Sequence, residues 1–290
     1  MARRMPKHIF IFACLALLLA SAQEAIHPPA VFPGRNGLVL VASANDGFVL
    51  AADGSSSNAD GTVSEARKIF PVGRHGAIAL VGTVSLQDPM GRPVREEVNI
   101  TRIAEVWLNS HPDVEIDTAS REINALVETA LNKFFATRNP GLASGKYKFG
   151  AVFAGFIAGA PRLTATRYFI PAGKGLKARI ERTSSAALHG RLMIFGSTRV
   201  YAELVAGKSS ALTAFKAEPP VKQFRASRAA SASVQEYASL FDVVLRAAES
   251  DEGKKFDGSK PIVASPNRIA TVTMKDGFAW SKGAVPGTAP

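Results

Sequence analysis

Apolar residues in the first third of the chain form runs of the length of a β-strand. Residues 37–44 and 48–52 flank Asn45-Asp46-Gly47, and an Asp-Gly step between two apolar runs is a strong signal for a β-hairpin. A further short run covers residues 75–81. Because these runs are almost continuously apolar, they predict strands that are buried on both faces of a sheet.

Helical periodicity predicts helices at residues 100–108, 118–137 and 199–205 and a fourth from Ser233 onward. Asp117 is the predicted N-cap of the second, and Ser233 with Glu236 forms a capping box for the fourth. The predicted apolar face of the second helix is Ile123, Leu126, Val127, Ala130, Leu131 and Phe134. That of the fourth is Tyr237, Leu240, Phe241, Val244, Leu245 and Ala248.

The later strands complete the order of elements. Strands are predicted at residues 149–156 and 162–168, and a hairpin with the turn Lys275-Asp276-Gly277 joins residues 269–274 to 278–280. The order strands, helices, strands, helices, strands is neither alternating βαβ nor all-β. Antiparallel sheets with two buried faces and helices outside predict an α+β fold, a four-layer αββα sandwich.

One domain is expected over residues 37–282, since no linker divides them. Residues 23–36 hold three prolines and no apolar period, and are interpreted as an extended lead-in. Residues 207–231, with Pro219-Pro220 and scattered basic residues, are interpreted as an inserted loop, and residues 283–290 as a tail.

Residues 1–22 have the pattern of a secretory signal. Arg3, Arg4 and Lys7 precede a twelve-residue apolar stretch, and Ala20-Ser21-Ala22 supplies a small-x-small cleavage pattern. Twelve helical residues reach about 18 Å, short of the roughly 30 Å hydrocarbon core, so no membrane span is expected in the mature chain. We therefore expect an exported protein, periplasmic or extracellular. A lipoprotein anchored at Cys14 is a minor alternative.

The amino-acid composition excludes some classes of protein. The chain has 290 residues, 47% hydrophobic and 20% charged, which excludes a disordered chain. Signal cleavage removes three basic residues and the one cysteine, so the net charge falls from +11 to +8 and no disulfide remains. The best basic patch for nucleic acid is Lys216, Lys222, Arg225 and Arg228, interleaved with Phe215 and Phe224. A solvated basic loop explains it better, because no nucleic-acid-binding module is recognisable.

Phosphate and metal motifs are absent from the sequence, and no cofactor or metal is expected. The histidines that remain after signal cleavage show no ligand spacing, and a surface loop explains the pair His111 and Asp113.

Asp53 and Lys68 are the candidate charged pair. Asp53 ends the second strand of the predicted buried hairpin, and Lys68 precedes the strand at 75–81. A carboxylate at a buried strand end requires a cation, which Lys68 can supply. A purely structural ion pair and a functional site both fit this spacing.

The order of these segments resembles a proteasome β-type subunit, of the N-terminal-nucleophile (Ntn) hydrolase superfamily. The resemblance runs through GLVLVASANDGFVLAADGSSS, ARKIFPVGRHGAIALVGT, FGAVFAGF, FGSTRVYAELV and NRIATVTMKDGFAW. It covers nearly all of residues 37–282 and implies the αββα sandwich and self-association into a ring or a smaller oligomer. It also implies that Asp53 and Lys68 are the acid and the lysine of the catalytic centre.

The nucleophile that the resemblance requires is missing. Its position falls on Gly37, and residues 23–42 contain no Ser, Thr or Cys. Two supporting positions also depart, because Lys148 stands where the family has a serine and no acid lies near Ala206-Gly207.

Two functions remain open beside a basic binding surface. The first is an inactive exported module for binding or assembly, with a peptide-like ligand. The second is an active hydrolase with a relocated nucleophile, Ser43 or a hydroxyl within residues 55–57.

Overall fold

The structure is a computed structural model that describes residues 30–33, 37–57, 63–82, 85–86, 98–137, 149–169, 179–186, 191–196, 198–226, 232–258, 263 and 265–283. Four predicted features lie outside the described residues: the predicted signal at 1–22 with Cys14, most of the predicted lead-in, Lys148, and the predicted tail from 284.

The described residues form strands and helices in a mixed α+β order. The strands are β1 (Ala30–Pro33), β2 (Leu38–Ser43), β3 (Gly47–Ala52), β4 (Ser55–Ser57), β5 (Val63–Glu65), β6 (Ile69–Val72), β7 (Gly76–Gly82), β8 (Ser85–Leu86), β9 (Val98–Asn99), β10 (Phe149–Ile157), β11 (Ala160–Phe169), β12 (Arg179–Ala186), β13 (Leu192–Gly196), β14 (Arg268–Thr273) and β15 (Gly277–Lys282). The helices are α1 (Ile100–Asn109), α2 (Ile116–Thr137), α3 (Thr198–Ala206), α4 (Thr213–Lys216), α5 (Pro219–Ala226), α6 (Val234–Glu249) and α7 (Asp251–Asp257).

Two larger sheets carry most of the strands. One has the order β1-β13-β2-β3-β14-β15, and the other has the order β12-β11-β10-β7-β6. Neighbouring strands pair antiparallel, as predicted, except that β1 runs parallel to β13.

Three apolar clusters explain why the strands are apolar on both faces. In β2, Val39 and Val41 join a cluster that takes residues from both sheets, including Val152 of β10. The alternate residues Leu38 and Leu40 join a second cluster with α3, α5 and α6. A third cluster packs the other face of the five-stranded sheet against α1 and α2. Since side chains alternate along a strand, a strand between two such clusters needs apolar residues throughout.

The predicted helices are confirmed, with two corrections. Helix α2 begins at Ile116, so Asp117 lies in its first turn and is not the N-cap. Leu126, placed on the buried face of α2, is 43% exposed, because the face that packs against the sheet holds Ile123, Val127 and Leu131. The capping box of α6 is present, and the whole predicted apolar face of that helix is buried.

The interpretation of residues 207–231 as an inserted loop is wrong for its described part. That part holds α4 and α5, and Val221 and Phe224 of α5 lie in the core beside α6. Phe224, which was predicted to lie within the basic patch, is therefore a core residue that is 7% exposed. Two prolines at the start of α5 suggested a loop, but proline is accommodated in the first turn of a helix.

The basic patch is also partly neutralised. The ammonium of Lys216 contacts the Glu203 carboxylate, and this hydrogen bond, together with one from Ser209, holds the Glu203 pKa below its usual value. The Arg225 guanidinium donates to the carbonyl oxygens of Val205 at 3.1 Å and Gly207 at 2.7 Å, at the end of α3. These basic side chains hold the helices together, and Arg228 lies outside the described residues.

Beside α4 and α5, several further elements were not predicted from the sequence: β1, β4, β5, β6, β8, β9, β12, β13 and α7. Strand β1 lies within residues 23–36, which were interpreted as a lead-in because of their three prolines. Among the described residues, no helix combines the length and the apolar character needed to cross a membrane.

Candidate functional site

The open end of the β2–β3 hairpin places Gly37 beside Asp53. Residues 39 and 52 are paired in register, so the residues just beyond them, Leu38 and Asp53, face each other. The Asp53 amide donates to the Leu38 carbonyl oxygen at 3.1 Å. In return, the Leu38 amide donates to Asp53 Oδ1 at 2.6 Å. The Asp53 side chain thus closes the hairpin at the residue that follows Gly37.

Lys68 completes the predicted pair. It lies directly before β6, and its Nζ donates to Asp53 Oδ1 at 2.7 Å. Their side chains are 2% and 0% exposed. Removing one member of such a pair leaves an uncompensated buried charge, so the two residues depend on each other. The ion pair that the sequence predicted is confirmed.

Ser55 holds the second oxygen of the Asp53 carboxylate. The Ser55 amide donates to Asp53 Oδ2 at 3.2 Å, and the Ser55 hydroxyl donates to the same oxygen. With Leu38 and Lys68 on Oδ1, each carboxylate oxygen accepts two hydrogen bonds. Four donors fix the carboxylate in one orientation.

Gly37 is buried and lies against this pair with a positive φ of 73°. A Cβ at this position would stand 2.5 Å from Lys68 Nζ and 2.7 Å from Asp53 Oδ1. These distances are far shorter than van der Waals contact, so the ammonium and the carboxylate occupy the space where a side chain would begin. The position at which the resemblance places a nucleophile thus lies beside Asp53 and Lys68, and a side chain has no room there in this conformation.

Of the other candidate residues whose side chains the structure describes, only Ser55 contacts the Asp53–Lys68 pair. Ser43 lies five residues from Leu38 at the other end of β2, about 17 Å away at 3.3 Å per residue, so the structure does not bring it to Lys68. Ser55 does reach the pair, through Asp53, and is 3% exposed. His111 is exposed and stacks on Trp107 with 4.3 Å between ring centres. The described residues contain no group of three or more His, Cys, Asp or Glu that could hold a metal ion.

Two supports of the site were missed from the sequence. Asp53-Gly54-Ser55 is an Asx-type arrangement, in which an aspartate accepts from the residue two positions later, and this pattern could have been recognised. Arg268, which is 8% exposed, donates to the Ala66 carbonyl oxygen at 3.2 Å and thereby anchors the segment that leads to Lys68. No sequence signal connects Arg268 to Ala66, because 202 residues separate them.

Comparison with known proteins gives likenesses to solved structures. No protein-family model matches the chain, and no curated protein matches it. A solved structure, the Anbu (Gly-1) mutant from Hyphomicrobium sp. strain MC1, is similar over 86% of this chain and 89% of its own length, with 13% sequence identity and a TM-score of 0.43. Anbu is a proteasome-like protein of the Ntn-hydrolase type, the family that this sequence resembles.

Proposed function

We propose that this chain is an exported protein of the proteasome-like Ntn fold that has lost N-terminal-nucleophile chemistry and works as a binding or assembly module. The observation that carries the proposal is Gly37, which stands at the nucleophile position against an intact Asp53–Lys68 pair. The proposed architecture is the αββα sandwich. The three apolar clusters support it, since one includes both sheets and each of the others joins one sheet to helices.

The chemistry of an N-terminal nucleophile needs two groups that Gly37 does not combine. The side chain must supply an oxygen or sulfur atom, and the free α-amine must act as the base. Gly37 has no side chain, and Lys68 is engaged with Asp53 at a site closed to solvent. The pair supports this proposal as a retained structural element that joins the hairpin to the segment before β6.

Export, a peptide-like ligand and self-association into a ring or a smaller oligomer belong to the same proposal. Export rests on the signal pattern of residues 1–22, and self-association on the resemblance to the proteasome family. Measurement of the solution mass would test the assembly, and a monomer at all concentrations would contradict it.

Ser55 favours a second candidate, an active hydrolase with a relocated nucleophile. Its hydroxyl donates to Asp53, so a carboxylate that can accept the hydroxyl proton is in place. Against this candidate, Ser55 is 3% exposed and has no free amine beside it.

Covalent labelling separates the two candidates. The purified exported protein is incubated with a peptide vinyl sulfone or a fluorophosphonate, both of which modify activated hydroxyls, and the adduct is located by mass spectrometry. We expect no adduct within residues 37–68 and no hydrolysis of fluorogenic peptides. An adduct on Ser55, with hydrolysis that disappears in Ser55→Ala and persists in the matched variant Ser56→Ala, would establish the hydrolase and overturn the inactive module.

A further inference from the structure

Strand β1 is the exceptional strand of the larger sheet. It pairs parallel with β13, with Ala30, Val31, Phe32 and Pro33 in register with residues 193–196. The other strand pairings of the two larger sheets are antiparallel. Strand β1 also lies at the edge of the sheet, where it covers backbone groups of β13 that an edge strand would otherwise expose.

Strands β1 and β2 follow each other in the sequence but are not neighbours in the sheet, because β13 lies between them. Pro33 of β1 and Leu38 of β2 are both in register with Gly196 of β13. Two strand spacings, about 10 Å, separate them. Pro33 and Leu38 therefore flank the end of β13 on opposite sides.

Gly196 shows how closely Gly37 approaches the end of β13. It has a φ of 91°, and a Cβ on it would overlap the carbonyl oxygen of Gly37. Only glycine fits at this contact without moving the backbone. Gly37 also has a positive φ, so the close approach of the two segments depends on both glycines.

We propose that the outer edge of β13 is a binding site for an extended peptide strand in parallel orientation, and that residues 30–33 of the same chain occupy it. Recognition in such a site comes from backbone hydrogen bonds, as in other cases of strand addition to a sheet edge. Residues 30–36 are then a retained part of the domain, and the chain is not processed at Gly37. This inference does not rest on the proposed function, because an active or an inactive protein can retain the strand.

Occupation by the chain's own strand follows from the tether. Three residues separate Pro33 from Gly37, and Gly37 lies against Gly196 at the end of β13. A tether this short gives the strand a local concentration on the order of millimolar or higher. A free peptide therefore competes poorly until the tethered strand is released.

Proline variants of the full chain test the site. Successive amides of a strand point to opposite sides, so one of two adjacent residues donates toward β13. The double variant Val31→Pro/Phe32→Pro removes that donor wherever it falls, and Val31→Ala/Phe32→Ala is the matched control that keeps both amides. We expect the proline variant to melt at least about 5 °C lower than the control and to exchange the amides of residues 192–196 faster. Equal melting and exchange in the two variants would overturn the proposal.

Addition of a peptide in trans distinguishes a binding site from a strand that only stabilises the sheet. The probe is the nonapeptide PPAVFPGRN, residues 28–36, and the control peptide carries prolines in place of its valine and phenylalanine. At millimolar concentration we expect the first peptide to restore slow exchange at residues 192–196 of the proline variant, with no effect of the control peptide. Failure of that rescue would overturn the binding site.

The amino terminus of the purified exported protein tests retention. We expect it at or before Ala30, and a terminus at Gly37 would overturn retention. These readouts are melting, exchange and mass, so hydrolysis by the protein, which would contradict the proposed function, leaves them unchanged.

Discussion

The two ends of the β2–β3 hairpin carry an aspartate each, and the two aspartates are held in different ways. At the turn, Asp46 is exposed, and its Oδ1 accepts a hydrogen bond from the Val234 amide at 2.8 Å. At the open end, Asp53 is 1% exposed and accepts four hydrogen bonds, one of them from Lys68. An aspartate is thus a solvent-exposed hydrogen-bond acceptor at one end and a buried, paired charge at the other.

This difference shows which end of the hairpin depends more strongly on contacts with the rest of the molecule. Water screens Asp46, so its contact with α6 contributes modestly. Asp53 has no water to replace a lost partner, and an unpaired buried charge costs far more than an exposed one. We expect changes at the open end to cost several times more than changes at the turn.

The largest expected effect is that of Lys68→Met, which keeps the length of the side chain and removes its charge. The Asp53 carboxylate stays buried without its cation, and we expect the free energy of unfolding to fall by about 3–5 kcal/mol. Chemical denaturation at pH 7 measures this change.

The double variant Asp53→Asn/Lys68→Met is the control, because it removes both charges. We expect it to be more stable than Lys68→Met alone, since no uncompensated charge remains. A loss below about 1 kcal/mol for Lys68→Met would show that the pair is not enclosed as described and would contradict the contrast between the two ends.

A smaller effect is expected for Gly37→Ala. The new Cβ would meet Lys68 Nζ and Asp53 Oδ1, and the positive φ adds backbone strain, so we expect a loss of about 2–4 kcal/mol. Gly159→Ala is the matched control, because Gly159 has a φ of 82° with nothing within 4 Å of the added Cβ. It should lose only the strain, about 1–2 kcal/mol. Equal losses in denaturant titrations would show that the site has room for a side chain.

The two ends also differ in how far the sequence predicts them. The turn follows from local rules, since Asn45-Asp46-Gly47 between apolar runs indicates a hairpin and Ser233 with Glu236 indicates the start of α6. At the open end, the pairing of Asp53 with Lys68 was predicted because a buried carboxylate needs a cation. The closeness of Gly37 to both was implied by the family resemblance and could not come from spacing.

What the sequence could not predict depends on long-range contacts. Strand β1 looked like a proline-rich lead-in, because its partner β13 lies some 160 residues later. The segment at 207–226 was interpreted as a loop. Its helical structure depends on the burial of Val221 and Phe224 beside α6, a contact that the local sequence does not reveal. Leu126 was wrongly predicted to be buried for a related reason. Helical periodicity gives an apolar face about 100° wide, and the sheet that packs against α2 determines where that face ends.

The smallest expected effect is at the turn, where Asp46→Ala removes the acceptor for the Val234 amide at the start of α6. A solvent-exposed hydrogen bond of this kind contributes about 0.5–1 kcal/mol, and the free energy of unfolding should fall by that amount. Asp276→Ala is the matched control. It also replaces a turn aspartate before a glycine, but the Asp276 carboxylate accepts from Thr273 of its own hairpin.

Both variants lose the turn preference of aspartate and a hydrogen bond to its carboxylate, but only Asp46→Ala loses a bond to α6. We expect Asp46→Ala to be the less stable of the two in thermal melts, and also to exchange the amides of the first turn of α6 faster. If the two variants melt together and α6 exchanges as before, the hydrogen bond of Asp46 to α6 adds no measurable stability. In that case the difference between Asp46 and the buried pair of Asp53 and Lys68 is larger than expected.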